Sequence, residues 1–189
     1  MLPFEGTQLI NEDEVIKYIS KHKDLLDAVV VTGGEPTLQP DLPEFLAKIK
    51  LMGFLVKLDT NGTNPEMLER ILDAGLVDYV AMDVKTSPIK YETLTGWKDL
   101  NKIRESIKII KEDSKGYEFR STVIPDFFTF EDAKEIVNLM GQPKIYILQS
   151  FNSKLSWKEE FKEMEPCSQE EMEELCRFFN NNGIKTIIR

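Results

Sequence analysis

Short β-type runs alternate with helical patterns along most of this chain, and that alternation limits the fold more than any other feature. The runs are Ala28–Thr32, Phe54–Asp59, Tyr79–Asp83, Glu118–Ile124 and Lys144–Gln149. Between them, Asn11–Lys21, Leu42–Leu51, Pro65–Ala74, Leu100–Lys111 and Phe130–Met140 carry apolar residues at i, i+3 and i+4, the spacing of an amphipathic helix. Alternation of this kind implies βα units and a parallel sheet, closed into a barrel or arc, or doubly wound. In each case ligands bind at the carboxyl ends of the strands. Asp41 and Thr129 stand where helix N-caps belong, and Gly53, Gly75 and Gly141 where helices stop. A last helix, Gln169–Asn182, leads past Gly183 to Lys185–Ile188, a candidate further strand.

The 189 residues are expected to form one domain, 1–189, with a core over about 11–151 and a C-terminal extension over about 152–189. A hydrophobic content of 41% is that of a folded protein. The formal charge of −9 repels phosphate backbones and anionic lipid, which argues against nucleic acid or a membrane as partner. Residues 1–10 lack a basic stretch followed by an apolar one, and no apolar run approaches the ~20 residues of a membrane span, so the expected compartment is the cytoplasm. Cys167 and Cys176 lie in an acidic, helix-like tail at a spacing that fits neither a metal knuckle nor a redox pair, and read as reduced structural thiols. His22, among Lys21, Lys23 and Asp24, reads as a solvated side chain.

Period-two geometry sorts each strand into two faces, one of which turns polar toward its end. Val80, Met82 and Val84 share one side of their strand, and Ala81, Asp83 and Lys85 the other. Val56 and Leu58 oppose Lys57 and Asp59, before the strand runs out into Thr60-Asn61-Gly62. Arg120 and Thr122 oppose Phe119 and Val123, and Gln149 ends the fifth run. Any one of these positions could be a wet strand end. Together with the corner Thr32-Gly33-Gly34-Glu35-Pro36, they suit a zwitterionic ligand bearing an ammonium and a carboxylate. Gly33 and Gly34 permit positive φ and close approach of backbone to a ligand, while Glu35 offers a carboxylate.

In this order, "TGGEPTLQPDL", "LDTNG", "MDVK", "YETLTG" and "RSTVIP" resemble the radical S-adenosylmethionine (SAM) enzymes. The likeness, from about Val15 to about Phe151, is to the glycyl-radical-enzyme activases, such as the activating proteins of anaerobic ribonucleotide reductase and pyruvate formate-lyase. It implies a partial (βα)6 TIM-like barrel holding SAM across the strand ends. Gly33, Gly34 and Glu35 match the motif that takes the methionine amino group. Asp59, Thr60, Asp83 and Lys85 match positions near the methionine carboxylate, where Asp59 and Asp83 could also hold a monovalent cation. Arg120 matches a further polar contact, and Gln149 a contact to the adenosine. The family's reaction is reductive cleavage of SAM to a 5′-deoxyadenosyl radical, which abstracts a glycine hydrogen from a partner glycyl-radical enzyme.

The family holds a [4Fe-4S] cluster on C-x-x-x-C-x-x-C ahead of the Gly-Gly-Glu-Pro corner, and no cysteine stands between Met1 and Thr32. The resemblance therefore implies a barrel without its first βα unit, and a chain that lacks the thiolates to bind the cluster stably. Such a chain is expected to be inactive as it stands. The alternatives are a non-catalytic SAM-binding or regulatory module, and a cluster-free enzyme using Asp59, Asp83 and Lys85 for acid-base work or metal binding. If the first strand is absent, Ala28–Thr32 becomes a sheet edge and is expected to drive self-association, unless the Met1–Ile10 arm covers it.

Overall fold

The structure, a computed structural model, describes residues 10–156 and 159–189. Its elements are α1 (Glu12–Lys21), β1 (Ala28–Val31), α2 (Leu42–Leu51), β2 (Leu55–Thr60), α3 (Pro65–Asp73), β3 (Tyr79–Asp83), α4 (Tyr91–Thr95) and α5 (Leu100–Asp113). They continue with β4 (Gly116–Val123), α6 (Phe130–Met140), β5 (Tyr146–Ser150), α7 (Glu159–Lys162), α8 (Gln169–Asn181) and β6 (Thr186–Ile188). All five expected strands are present and the candidate sixth joins them. The Met1–Ile10 arm lies outside the described residues except for Ile10.

Two strand boundaries move for identifiable reasons. β4 begins at Gly116, which pairs with Tyr79. A Cβ there would lie 2.8 Å from the Tyr79 ring, so glycine is what admits the close approach. β5 starts at Tyr146 rather than Lys144, because the Lys144 N–H donates to the Tyr117 hydroxyl instead of to the ladder. Thr129 caps α6 in a reciprocal capping box with Asp132. Asp41, by contrast, stands at the N-cap of α2 without a side-chain cap bond. Pro43 in that first turn leaves one donor fewer to satisfy.

The strands form one parallel sheet in the order β1-β2-β3-β4-β5-β6. Each neighbour follows directly in the chain, so right-handed crossovers place α2, α3, α5, α6 and α8 on the same face and the sheet curls with its other face inward. Val56, Leu58, Val80, Met82, Phe119, Tyr146 and Leu148 point to the helices and are buried in the core. The inward face carries Lys57, Asp59, Asp83, Lys85, Glu118, Arg120, Thr122 and Gln149, the period-two alternation read from the sequence.

The sheet is not closed: β1 pairs with β2 and β6 with β5. The bond from the Leu55 N–H to the Asp27 carbonyl sets the phase of the first ladder, so Ala28 and Val30 turn their N–H and C=O groups away from β2. Val30 is 53% exposed, and Leu55, the register partner of Ala28, 54%. Asp132 joins the loop after β3 to α6. Its carboxylate accepts from the Thr129 N–H (2.9 Å) and hydroxyl (2.7 Å), the Ser87 hydroxyl (2.6 Å) and the Lys90 ammonium (2.6 Å). No described helix is long and apolar enough to cross a membrane.

Candidate functional site

The carboxyl ends of β1 and β2 are tied together by Glu35. Its Oε1 accepts from the Thr37 N–H (3.2 Å), the Thr37 hydroxyl (2.6 Å) and the Thr60 hydroxyl (2.7 Å), and its Oε2 from the Asn61 N–H (2.6 Å). Asn64 adds a bond from its side-chain amide to the Thr37 carbonyl. Both oxygens of Glu35 are thus engaged within the chain, and the exposed backbone of Gly33 and Gly34 is what the turn presents outward. Gly33 has φ 136°, with open space where a Cβ would stand. Thr60 is buried and also accepts from the Gly62 N–H.

Across the inward face, Arg120 stands between two acids. Its Nη1 lies 3.2 Å from Asp59 Oδ2 and its Nε 3.0 Å from Asp83 Oδ1, while Lys85 Nζ lies 2.7 Å from Asp83 Oδ2. Burial works against the charge on Arg120, but the attraction of Asp83 and Asp59 outweighs it and holds the guanidinium above its ordinary value. Below this layer Lys57 lies 3.8 Å from Asp59 Oδ1 and 3.4 Å from Glu118 Oε1, and Arg189 reaches the same Glu118 oxygen at 3.3 Å. The result is one row of alternating charge: Arg189, Glu118, Lys57, Asp59, Arg120, Asp83, Lys85. The sequence pointed to its upper members; Glu118 and Arg189 were missed.

One atom in the row is left over. Asp59 Oδ1 is buried and accepts no hydrogen bond, a rare condition for a buried carboxylate oxygen and one that suits a cationic partner. At the same strand ends opens a cavity of about 570 Å³ lined by Asn61, Lys85 and Thr122 on the polar side and by Tyr91, Trp97 and Phe151 among its apolar walls. Gln149, partly buried on β5, is in register with Thr122. The predicted residues Gly33, Gly34, Glu35, Asp59, Thr60, Asp83, Lys85, Arg120 and Gln149 therefore all belong to one end of one sheet. The aromatic wall was not anticipated, because α4 is too short to show a period.

The sequence model of the radical SAM superfamily matches residues 3–140. The chain belongs to the radical SAM superfamily. Among radical SAM relatives, a putative glycyl-radical enzyme activating enzyme of Methanocaldococcus jannaschii is 37% identical over 171 residues, which are 85% of this chain and 71% of that one. A probable GTP 3′,8-cyclase of Sulfolobus acidocaldarius is 32% identical over 141 residues, 72% of this chain and 44% of that one. In structure, a domain of pyruvate-formate lyase-activating enzyme from Bacteroides vulgatus superposes with a TM-score of 0.71 at 19% identity, covering 86% of this chain and 98% of that domain. That likeness shows the fold: the partial barrel expected from the motifs.

The radical SAM family implies two bound groups, and the residues fit them unequally. For SAM, the Asp59 oxygen without a hydrogen bond, the bare Gly33 turn and the cationic Lys85 and Arg120 offer partners of both signs at one end of the sheet. For a [4Fe-4S] cluster the donors do not fit. The sequence holds two cysteines, Cys167 just ahead of the N-cap of α8 and Cys176 within that helix. Cys176 donates to the Thr186 carbonyl at the amino end of β6, away from the strand ends that carry the polar mouth. Burial raises both thiols above their ordinary value, which disfavours the thiolate a cluster needs. Among the described residues no group of three or more His, Cys, Asp or Glu is placed to hold a metal ion.

Proposed function

We propose that this chain is the SAM-binding barrel of a glycyl-radical-enzyme activating protein. The observation that carries the reading is the buried Asp59 oxygen that accepts no hydrogen bond, on a side chain set among Arg120, Asp83 and Lys85 at the carboxyl ends of β2 to β4. In this proposal the methionine end of SAM lies across that mouth. The Gly33-Gly34 backbone serves the amino group and Lys85 and Arg120 the carboxylate, with a monovalent cation between Asp59 and Asp83 as a further occupant. The adenosine takes part of the adjoining cavity, with Gln149 at its edge. Work of the chain's own residues is then to bind and orient. Its partner would be a glycyl-radical enzyme, of the anaerobic ribonucleotide reductase type.

Calorimetric titration with SAM tests this. Weak but saturable binding is expected, with an affinity loss of about tenfold or more in Lys85→Ala, since one charge-assisted contact is worth about 1.5–3 kcal/mol. Equal affinity in the two proteins would place the ligand elsewhere. With two separated thiols, the chain alone is proposed to be inactive in SAM cleavage. Anaerobic reconstitution with iron and sulfide is expected to give less than stoichiometric [4Fe-4S] absorption, and a full complement of cluster on the purified chain would overturn that.

Among the described residues no strand pairs with the outer edge of β1, which supports a second element of the proposal, self-association through Ala28 and Val30. Outward-turned backbone groups on an edge strand with an exposed Val30 recruit another strand. Sedimentation should show a concentration-dependent dimer that Val30→Lys weakens. A strict monomer at high concentration would reject it.

A further inference from the structure

Lys57 has two carboxylates within reach and sits nearer to the one that is not at the mouth. Its ammonium is 3.4 Å from Glu118 Oε1 and 3.8 Å from Asp59 Oδ1, and lies 5.6 Å from the centre of the Tyr79 ring. The Glu118 side chain is 3% exposed. It is held from three sides, by Lys57, by the Tyr79 hydroxyl at 3.3 Å on Oε2 and by Arg189 at 3.3 Å on Oε1. Asp59 spends Oδ2 on Arg120 and leaves Oδ1 without a hydrogen bond, although Lys57 needs to move by less than an ångström to supply one.

Left to itself, an ammonium between two carboxylates would close on the unsatisfied one, since a buried acceptor without a hydrogen bond is costly. Glu118 is the element that opposes the move. It is deeply buried, and Lys57 is one of its charge partners. If Lys57 left, more of the burial cost of that carboxylate would fall on Arg189 and Tyr79.

We infer that Glu118 is a positioning residue that draws Lys57 away from Asp59, so that the buried Asp59 Oδ1 takes no hydrogen bond from the chain's own lysine and is left for a positively charged group at the strand ends. The inference rests on the reading that this mouth binds SAM, and it deepens it. A row of fixed charges pre-sets an acceptor and keeps the chain's own lysine from occupying it. The group it accepts is either the ammonium of the bound ligand or an inorganic monovalent cation. Lys57 itself touches no ligand in this arrangement; it is the competitor that Glu118 restrains.

The test uses the full chain as wild type, Glu118→Gln, Lys57→Met and the double variant, each confirmed folded by its unfolding transition. Crystallography reads the Lys57–Asp59 distance, and calorimetry reads SAM affinity in sodium chloride and in tetramethylammonium chloride. Glu118→Gln should bring Lys57 to about 2.8 Å from Asp59 Oδ1, a normal charged bond, and weaken SAM by about tenfold. Removing the lysine as well should restore binding to within about twofold of wild type, and Lys57→Met alone should not weaken it. A defect in both salts assigns the Asp59 oxygen to the ligand's ammonium, one confined to sodium assigns it to the ion, and either supports the inference. A Glu118→Gln structure in which Lys57 has not approached Asp59 would overturn it, as would a double variant as weak as Glu118→Gln. Should wild type fail to bind SAM, the functional reading falls, while the crystallographic arm still decides whether Glu118 restrains Lys57.

Discussion

Arg120→Leu is expected to lower the unfolding free energy by about 2 to 3 kcal/mol, read as a fall in the urea midpoint. Arg120 is 14% exposed and stands between Asp59 and Asp83, themselves 19% and 26% exposed. Leucine fills most of the same volume, so the loss is electrostatic rather than a cavity. Asp59 loses its one close cation and keeps Lys57 at 3.8 Å, and Asp83 keeps Lys85. Because those neighbours and the open mouth screen part of the repulsion, the cost falls below that of breaking a fully buried pair. Adding Asp59→Asn and Asp83→Asn to Arg120→Leu should recover more than half of the loss. Arg120→Lys should be intermediate, since an ammonium cannot span two carboxylates as the guanidinium fork does. An Arg120→Leu protein as stable as wild type would show that the row of charges contributes nothing to folding.

Asp132→Ala is expected to cost about 3 kcal/mol near neutral pH, and its effect should depend on acidity. The carboxylate is 5% exposed and replacing it strips acceptors from Ser87, Thr129 and Lys90 at once. Burial pushes its carboxyl up, but the hydrogen bonds from Lys90, Ser87 and Thr129 prevail and pull it down from 3.8 to about 2. A carboxyl depressed in the folded state contributes stability above its unfolded value, and that contribution is lost as pH falls through the folded value. About 2 kcal/mol should therefore disappear between about pH 4 and about pH 2 in wild type, and not in Asp132→Ala. Urea unfolding at about pH 6 and about pH 3 would show the two proteins drawing together. A gap that stays constant on acidification would mean that Asp132 acts by packing alone.

The strands and their polar face were legible because a parallel strand in a curled sheet must put alternate residues on opposite sides. Asp59, Asp83, Lys85 and Arg120 could be assigned to one mouth without knowing which strands adjoin. Glu118 escaped because the fourth strand seemed to begin there; Gly116 extends it, and Glu118 becomes an interior position facing Lys57. The role of Glu35 was hidden for another reason. Its four donors come from Thr37, Thr60 and Asn61, and only the pairing of β1 with β2 brings the last two within reach. The aromatic wall sets Tyr91 and Trp97 around one cavity with Phe151, a juxtaposition no local period can announce.

The sequential strand order has a consequence for assembly and evolution. Every strand pairs with the strand one crossover away, so each βα unit brings its own neighbour contacts and no pairing spans the whole chain. Sheet formation can therefore proceed by accretion from any internal pair, with modest loop closure at each step. The registers of the interior do not depend on what lies past either end. A unit could be added beyond β1 or β6 without changing those registers. Losing either terminal strand would reach the mouth, because the turn after β1 holds Thr60 and Asn61 through Glu35, and Arg189 past β6 holds Glu118. The barrel thus behaves as a row of staves that can be lengthened at its borders but not shortened.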